Sequence, residues 1–299
     1  MQIFSKRNDK PHAYKFGEYQ NQLAFDPIEI SISSDAKNWI SNFDVSDLMG
    51  IHLTEFEWLN PVTADSYSVL GMRNGQILTG SRYEQRDMTL SFYTFLRDEI
   101  DQKLALKALT DYFAKAEPYW ITFDNAGYRM YKVKFKSLTP TYIGTHYMTI
   151  NVVLNNLTGV SQSVVSTQNI TEKMAFGLGY DGLQQMNYDF QSSSFTVFNP
   201  GDLEIDPVIQ DDYLLLTIRA NGKPSITNTD TGDTFTFNDS LNKDRELTLN
   251  GVNPFLDSIN CGIQTNNGII RLKKGDNHFT VSGCNDCLIS FDFYPKYLN

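Results

Sequence analysis

The most regular hydrophobic pattern of the chain lies between residues 82 and 156, where strand-like alternation is followed by helical spacing. From Met88 to Phe95, core-suited side chains occupy every second position. A period of two is typical of a β-strand with one buried face, because successive side chains point to opposite sides of a sheet. This segment is therefore predicted to be a half-buried strand.

The apolar period then lengthens to three and four residues, and the positions that share it are Ile100, Leu104, Ala105, Ala108, Leu109, Tyr112 and Phe113. This spacing places one apolar stripe along a helix. Three of the four residues 98–101 are acidic, as the N-terminal end of a helix dipole favours, and Lys115 lies in the predicted last turn. Pro118 ends the helix, because the residue before a proline is pushed out of the α region. One long helix is predicted over about 97–117.

Further strands are predicted on both sides of this helix, at Ile28–Ile32, Leu48–Phe56, Tyr119–Phe123, Tyr128–Phe135 and His146–Leu154. Asp124–Gly127 has the composition of a hairpin turn, and Asn74-Gly75 is a strong tight-turn signal. Residues 60–66 are predicted to be a loop. Together these signals predict an N-terminal antiparallel β domain, residues 1–157, with the helix laid on its sheet.

The second half of the chain has a different pattern. Ser, Thr, Gln, Asn and Gly dominate residues 158–194, which indicates a linker or an extended arm, and the sequence does not separate these two. Short strands with regular turns follow, at 195–198, 214–219, 225–228, 234–237, 246–249, 268–272, 279–281 and 288–293. Asn221-Gly222 is one of the predicted turns. Strands at this spacing without a helix are typical of a β-sandwich, here residues 195–299. The predicted fold is mainly β.

Composition and charge narrow the possible partners. The chain has 299 residues, of which 41% are hydrophobic, which is sufficient for two packed domains. Its net charge of −10 argues against specific nucleic-acid binding, which requires a basic face. No window reaches the roughly 18 apolar residues of a membrane-spanning helix, so membrane insertion is not expected. The N-terminus lacks the apolar core of a signal peptide, so synthesis in a cytoplasm is expected.

Catalytic motifs are the next question, since an enzyme needs a nucleophile, a base and a group that orients them. The histidines lie outside known motifs, at His12, His52, His146 and His278. The glycines from Gly177 to Gly182 imitate a dinucleotide fingerprint but lack its strand–helix context. Acidic pairs occur in turn-like polar surroundings, at Asp44 with Asp47 and at Asp211 with Asp212. The chain is predicted not to be an enzyme, with no catalytic, cofactor-binding or metal residues and no cofactor.

Two groups of residues nevertheless have ligand chemistry. One contains a CxxC pair and consists of Cys261, His278, Cys284 and Cys287. These four could complete a tetrahedral zinc site, although small buried thiols are the favoured interpretation. The other consists of Asn228, Asp230 and Asp233. It offers oxygen ligands but lacks the spacing and terminal Glu of a calcium loop, and a hairpin turn explains it equally well.

An ordered set of segments carries a family resemblance. In the first half it consists of Gly71–Gly75, Gly80–Tyr83, Arg86–Phe92, the long helix, Tyr119–Phe123 and Gly127–Val133. In the second half it consists of Asn199–Asp202, Asp206–Ile209, Leu216–Ile218, Thr231-Gly232, Leu247–Leu249 and Leu272–Asn277. This set resembles the distal tail protein (Dit) family of long-tailed bacteriophages that infect Gram-positive bacteria. Two departures are Asn155–Leu157, where the family often has Asp-Pro, and the longer segment before Ile28.

The resemblance implies a structural protein of the virion tail tip or baseplate. It implies a homohexameric ring formed by the N-terminal domains, with a galectin-like β-sandwich projecting outward. The implied partners are the major tail tube protein, the tail-associated protein and the receptor-binding or baseplate proteins. Residues 1–27 and the loop 60–70 are the candidates for contact with a neighbouring copy, by strand addition or by burial of aromatic residues.

A second hypothesis is a carbohydrate-binding module that contacts host wall glycans through the C-terminal sandwich, since fold does not determine function. All three tryptophans lie in the first half, at Trp39, Trp58 and Trp120, and Trp120 is predicted to lie in the core. Stacking on a sugar would therefore depend on tyrosines, for which Tyr180, Tyr188 and Tyr213 are the candidates.

Overall fold

The computed structural model describes residues 1–5, 27–57, 60–72, 74–143, 146–178 and 186–298. The chain divides into two compact units, the first containing residues 1–161 and 298–299 and the second containing residues 162–297. Both are built mainly from antiparallel strands, as predicted. In the part of the chain that is described, no helix is long and apolar enough to cross a bilayer.

The first unit contains ten strands and helices: β1 Ile30–Ser33, β2 Ile40–Ser41, β3 Ile51–Phe56, β4 Thr63–Ser68, β5 Ile77–Tyr83, β6 Arg86–Phe95, α1 Glu99–Phe113, β7 Tyr119–Phe123, β8 Arg129–Ile143 and β9 Tyr147–Asn156. Seven strands of this unit pair in the order β2-β1-β7-β8-β9-β6-β3 within one antiparallel sheet, while β4 and β5 form a separate pair. The strands predicted around α1 are confirmed, but β8 extends to Ile143 instead of ending at Phe135.

Helix α1 begins at Glu99, two residues after the predicted start, and Asp98 caps it. The Asp98 carboxylate accepts hydrogen bonds from the backbone N–H groups of Ile100 and Asp101, at 2.8 and 3.0 Å. The helix ends at Phe113 rather than near residue 117, because Ala114 already has non-helical dihedral angles (φ −82°, ψ 70°). Lys115 lies just past the end, where its Nζ donates to the Asp111 carbonyl at 2.7 Å.

The buried face of α1 is shorter than the predicted stripe. Ala105, Leu109 and Phe113 are buried against the sheet, whereas Ile100 and Leu104 are exposed. The prediction is wrong for these two positions, because the packed face of the helix begins only at Ala105. The first turns of α1 therefore present apolar side chains to solvent.

The core of the first unit lies between α1 and one face of the sheet. Burial alternates along β6 as its sequence predicts, with Leu90 and Phe92 fully covered. The ring of Phe92 lies 5.7 Å from that of Phe113, and Phe56 stacks on Phe123 at 4.2 Å. Each such buried side chain stabilises the fold by roughly 1.5–3 kcal/mol relative to exposure.

The N-terminal residues are bound to the edge of this sheet. Glu29 is fully buried, and its Oε1 accepts hydrogen bonds from the Ser5 N–H and the Ser41 hydroxyl, each at 2.5 Å. The Ser31 hydroxyl donates to the Ile3 carbonyl at 2.6 Å. Residues 1–5 are therefore bound to their own chain, and residues 6–26 lie outside the described part of the chain. Contact of residues 1–27 with a neighbouring copy stays a prediction.

After β9 the chain forms eleven further strands and helices: β10 Ser161–Ser163, α2 Glu172–Gly177, β11 Asp189–Phe190, β12 Ser194–Asn199, β13 Leu214–Asn228, β14 Thr234–Thr236, β15 Leu247–Asn250, β16 Asn253–Leu256, β17 Ile259–Asn260, β18 Gly275–Phe293 and β19 Lys296–Tyr297. All but β10, which begins at Ser161 of the first unit, lie in the second unit. Eight strands form one antiparallel sheet around the paired long strands β13 and β18. One half has the order β11-β18-β13-β15-β16-β17, and the other has β12-β18-β13-β14.

The two halves of this sheet face each other around a common core. The rings of Phe279 and Phe291 lie 5.0 Å apart although both residues belong to β18, and twelve residues of straight strand would span about 40 Å. Phe195 of β12 contacts both rings, at 5.5 and 6.1 Å. The long strands therefore bend and fold the sheet into a sandwich.

Glycines at the bend explain why the predicted Asn221-Gly222 turn is absent and why two pairs of predicted strands are each continuous. Gly222 and Gly283 have positive φ, and a Cβ on either would approach a backbone oxygen of the opposite strand, Gly283 O at 2.6 Å or Lys223 O at 2.2 Å. The segments predicted as separate strands, 214–219 with 225–228 and 279–281 with 288–293, are thus continuous strands with shifted register. The predicted strand 268–272 is also wrong, since only Leu272 makes an isolated bridge, to Ile205.

The described residues between 162 and 194 pack on the second unit. The Gln168 side chain donates to the Ser290 hydroxyl at 2.8 Å and to the Phe291 carbonyl at 3.0 Å. The Phe293 N–H donates to the Thr167 hydroxyl at 3.1 Å. These hydrogen bonds attach the polar segment to the C-terminal end of β18.

Candidate assembly surfaces

The hairpin of β4 and β5 is exposed on both faces. All residues of the two strands are exposed except Ala64, which is half-buried. Within the described residues the two strands pair only with each other. A two-stranded hairpin is at best marginally stable alone in water, so this element is suited to contact with another surface.

Polar side chains order the hairpin strands. The Ser81 hydroxyl donates to Asp65 at 2.6 Å, and the Thr79 hydroxyl donates to the Ser66 carbonyl at 3.0 Å. The Tyr67 hydroxyl also donates to Asp65, and this hydrogen bond raises the pKa of Tyr67. Residues 63–68, predicted to lie in a loop, thus form a strand that side-chain hydrogen bonds connect to β5.

The tip of this hairpin is apolar. Val69, Leu70 and Met72 follow one another at the end of β4, and all three are exposed, with Met72 fully so. Behind them, Tyr67 and Leu78 lie opposite each other across the two strands and are also exposed. Contiguous exposed apolar residues are the usual mark of a protein contact site. Residues 69–72 are called the hairpin tip below.

A second apolar surface lies on the face of the main sheet that points away from the core. Phe95, Tyr147 and Ile143 are direct cross-strand partners on β6, β9 and β8, and their exposed fractions are 50%, 43% and 51%. The rings of Phe95 and Tyr147 lie 5.3 Å apart. These three residues are called the aromatic row below.

The aromatic row is bounded by polar neighbours on the same face. Tyr93 extends it by one position, with its ring 5.8 Å from that of Tyr147. Further along, the Ser91 hydroxyl donates to the Asn151 side chain at 3.2 Å, and Thr139 is the register partner of Asn151. The apolar surface is therefore confined to the end of the sheet near the connection between β8 and β9.

The four residues of the predicted zinc set lie in different surroundings. Cys261 is buried in the core of the second unit, and the Nδ1 of His278 lies within hydrogen-bonding distance of the Asp230 carboxylate, at 2.8 Å. Burial raises the pKa of Cys261 and of Cys284, which favours the protonated thiol. In the described part of the chain, no three His, Cys, Asp or Glu side chains converge as metal ligands.

The carboxylates of the predicted oxygen set bind cationic side chains. Asp230 accepts a hydrogen bond from Lys273 at 2.6 Å, which lowers the pKa of Asp230. Asp233 pairs with Arg271 through two bonds of 3.0 and 2.9 Å. These ion pairs connect the turn after β13 to the segment before β18. The group therefore has a structural role.

The predicted acidic pairs and histidines also have structural surroundings. Asp212 forms an ion pair with Lys296 at 2.5 Å, and Asp44 accepts a hydrogen bond from the Ser5 hydroxyl at 2.6 Å. Burial lowers the pKa of His52. His146 lies beside the ring of Phe95 at 5.9 Å. The remaining positions fall outside the described residues: His12, Gly179 and Gly182.

The aromatic residues proposed for sugar contact differ in accessibility. Tyr188 is buried, and its hydroxyl donates to the Phe198 carbonyl at 3.0 Å. Tyr213 is exposed, with its hydroxyl 3.1 Å from Asp292. Trp39 is half-buried, and Trp58 and Tyr180 lie outside the described residues.

The predicted core position of Trp120 is wrong. This residue is only half-buried, and it lies on the opposite side of β7 from the buried Tyr119 and Ile121. The Nζ of Lys132 lies 5.7 Å from the centre of its ring. Alternation along β7 explains the difference, because in this strand the side chains before and after Trp120 face the core.

Comparison with known proteins shows what the chain is similar to in sequence and in fold. Residues 43–156 match the model of a phage tail protein RIFT-related domain, and no curated protein sequence matches the chain. The solved structure of the SPP1 Dit (gp 19.1) protein, described as a paradigm of the hub adsorption apparatus in phages infecting Gram-positive bacteria, is similar over 89% of this chain and 98% of that one. Its identity is 12% and its TM-score 0.59.

A chain of the phage P2 baseplate in its activated conformation with Ca is similar over 90% of this chain and 98% of that one, with 9% identity and a TM-score of 0.42. At such identities a structural likeness shows the fold alone. The predicted fold class and the resemblance to distal tail proteins are confirmed. Residues 43–156 are similar to a phage tail protein RIFT-related domain, and the chain has the fold of a distal tail protein.

Proposed function

We propose that this protein is a structural subunit of a bacteriophage tail tip, where six copies form a ring. The observation that carries the proposal is the exposed β4–β5 hairpin with its apolar tip, within a phage tail protein domain. A ring subunit needs two different contact surfaces, because a head-to-tail interface closes only by rotation. It needs no reacting groups, and the protein acts without catalysis.

In this role residues 1–157 form the ring and residues 195–299 project from it as a galectin-like sandwich, with residues 158–194 between them. One face of the ring binds the tail tube protein. The other carries the tail-associated and receptor-binding proteins, so the protein resides at the tail tip of the virion. The resemblance to distal tail proteins and the SPP1 Dit fold support this arrangement.

The experiment that tests the proposal is a mass measurement by light scattering behind a sizing column at physiological salt, with negative-stain imaging of the same fractions. We expect a species of six times the 34.1 kDa chain mass that appears as a ring. Single chains at every concentration would contradict self-assembly into a ring.

A second candidate function is binding of host wall glycans through the second unit. The observation that favours it is a pair of tyrosine rings, Tyr213 and Tyr294, 5.5 Å apart beside the carboxylate of Asp292. Aromatic faces next to polar oxygens suit the alternating apolar and hydroxyl surfaces of a sugar. Binding of the full chain to purified cell-wall polysaccharide, lost in Tyr213→Ala and retained in Ile263→Ala, would support it; no binding would exclude it.

A further inference from the structure

We propose that the hairpin tip of one copy packs against the aromatic row of the neighbouring copy. The inference rests on the proposed ring and names the two surfaces that close it. Its starting point is that both are apolar and exposed in the single chain, although they belong to the same unit.

The two surfaces agree in size. The aromatic row crosses three adjacent strands, and strands lie about 4.8 Å apart, so the row is about 10 Å long. A hairpin end is two strands wide, and its side chains extend beyond the backbone on each side. The tip and the row are therefore of comparable width.

The two surfaces also agree in charge. Each copy has a net charge of −10, which opposes association of two copies, and contact through uncharged patches adds no local repulsion to this. The row consists of Phe95, Tyr147 and Ile143, and residues 69–72 of the tip contain no charged side chain. Centres of protein interfaces are rich in aromatic residues and Met and poor in charged ones, as both surfaces are. This charge balance favours a second copy of the chain as the occupant.

The contact is head-to-tail, because the tip and the row are different surfaces. The tip of each copy packs on the row of one neighbour, and the row of that copy contacts the tip of its second neighbour. Repetition of such a contact produces a closed ring when the rotation between copies returns to its start. A symmetric dimer would instead require one surface to contact itself.

The test is a pair of cysteines in the full chain, Leu70→Cys at the tip and Ile143→Cys in the row, under mild oxidation. We expect a ladder of cross-linked chains ending at the size of the ring. The matched control combines Leu70→Cys with Tyr142→Cys, since Tyr142 is exposed to a similar degree, 54%, but points to the other side of β8. This control should remain single chains, as should the unaltered chain with its own cysteines.

A mixing experiment then shows whether the contact is between copies. Chains with only Leu70→Cys are mixed with chains with only Ile143→Cys and oxidised. We expect cross-linked pairs in the mixture and single chains in either variant alone. Cross-linking inside the double variant without pairs in the mixture would overturn the inference.

Light scattering on the same samples separates the two proposals. A ring that forms without cross-links between positions 70 and 143, or with equal cross-linking to position 142, would overturn the contact between tip and row and leave the ring intact. Single chains at every concentration would overturn both.

Discussion

Two antiparallel strand pairs in this protein lie at opposite extremes of burial. β13 and β18 pair along the centre of the second unit and present fully buried side chains such as Ile218 and Phe291. β4 and β5 pair just as regularly, yet nearly all their side chains are exposed. The same local structure thus contributes to the stability of the monomer in one region and offers contact surface in the other. Substitutions in the two pairs should therefore affect different measurements.

The largest effect on stability is expected from the centre of the buried pair. Phe291→Ala removes a fully buried ring that contacts Phe195 and Phe279, and large-to-small changes of this kind cost about 3–5 kcal/mol. Urea unfolding followed by tyrosine fluorescence measures the loss. Ile259→Ala, at an exposed edge position, is the control and should change stability by less than about 0.5 kcal/mol.

A smaller loss is expected at the bend of the same pair. Gly283→Ala places a Cβ 2.2 Å from the Lys223 carbonyl at a positive φ, and such strain costs about 1–3 kcal/mol. Gly275→Ala is the matched control, because Gly275 begins the same strand with a similar φ of +79° but has open space around it. Equal unfolding midpoints for the two variants would show that the close approach of the strands is unimportant.

The exposed pair should show the reverse behaviour. Leu70→Ser combined with Met72→Ser removes apolar surface that is exposed in the single chain, so the unfolding free energy of dissociated chains should change by less than about 0.5 kcal/mol. The mass measured by light scattering should fall from the ring to single chains. Ile263→Ser, at an exposed apolar position of the second unit, should keep the ring.

The smallest effect is expected on the loss of stability at acidic pH. The hydrogen bond from Lys273 is the main cause that lowers the pKa of Asp230 below its unfolded value of about 3.9, and the hydrogen bond from the His278 N–H is the second. A lowered folded-state pKa means that this contribution is fully present at neutral pH and is lost as the pH falls below about 4. Thermal unfolding from pH 7 to pH 2 should therefore show a shallower acid loss in Asp230→Asn, and also in Lys273→Gln. An unchanged pH profile in both variants would contradict the assigned pairing.

The sequence predicted best those elements whose burial follows a simple period. The alternation in β6 and the acidic first turn of α1 correspond directly to the structure. The full length of β13 and β18 does not follow from the sequence. Asn221-Gly222 has the composition of a turn, but Gly222 lies at a bend within a continuous strand. Ile100 and Leu104 fit the helical period but lie beyond the packed face of α1, which the sequence alone does not locate.

The candidate surfaces were harder to predict than the core. The hairpin strand β4 has no buried face and therefore no apolar alternation. Its sequence pattern predicts a loop instead of a strand. The aromatic row depends on the register that places Phe95, Tyr147 and Ile143 side by side. Register comes from the assembled sheet, so no local pattern around any one of these residues indicates the row.

The buried Glu29 has a consequence for two segments that are distant in sequence. Its Oε1 accepts hydrogen bonds from both the Ser5 N–H and the Ser41 hydroxyl, so one atom holds the N-terminal residues and β2. Removing a buried acceptor costs about 1–3 kcal/mol for each buried donor that it satisfied. A single substitution at this position would therefore loosen both segments at once.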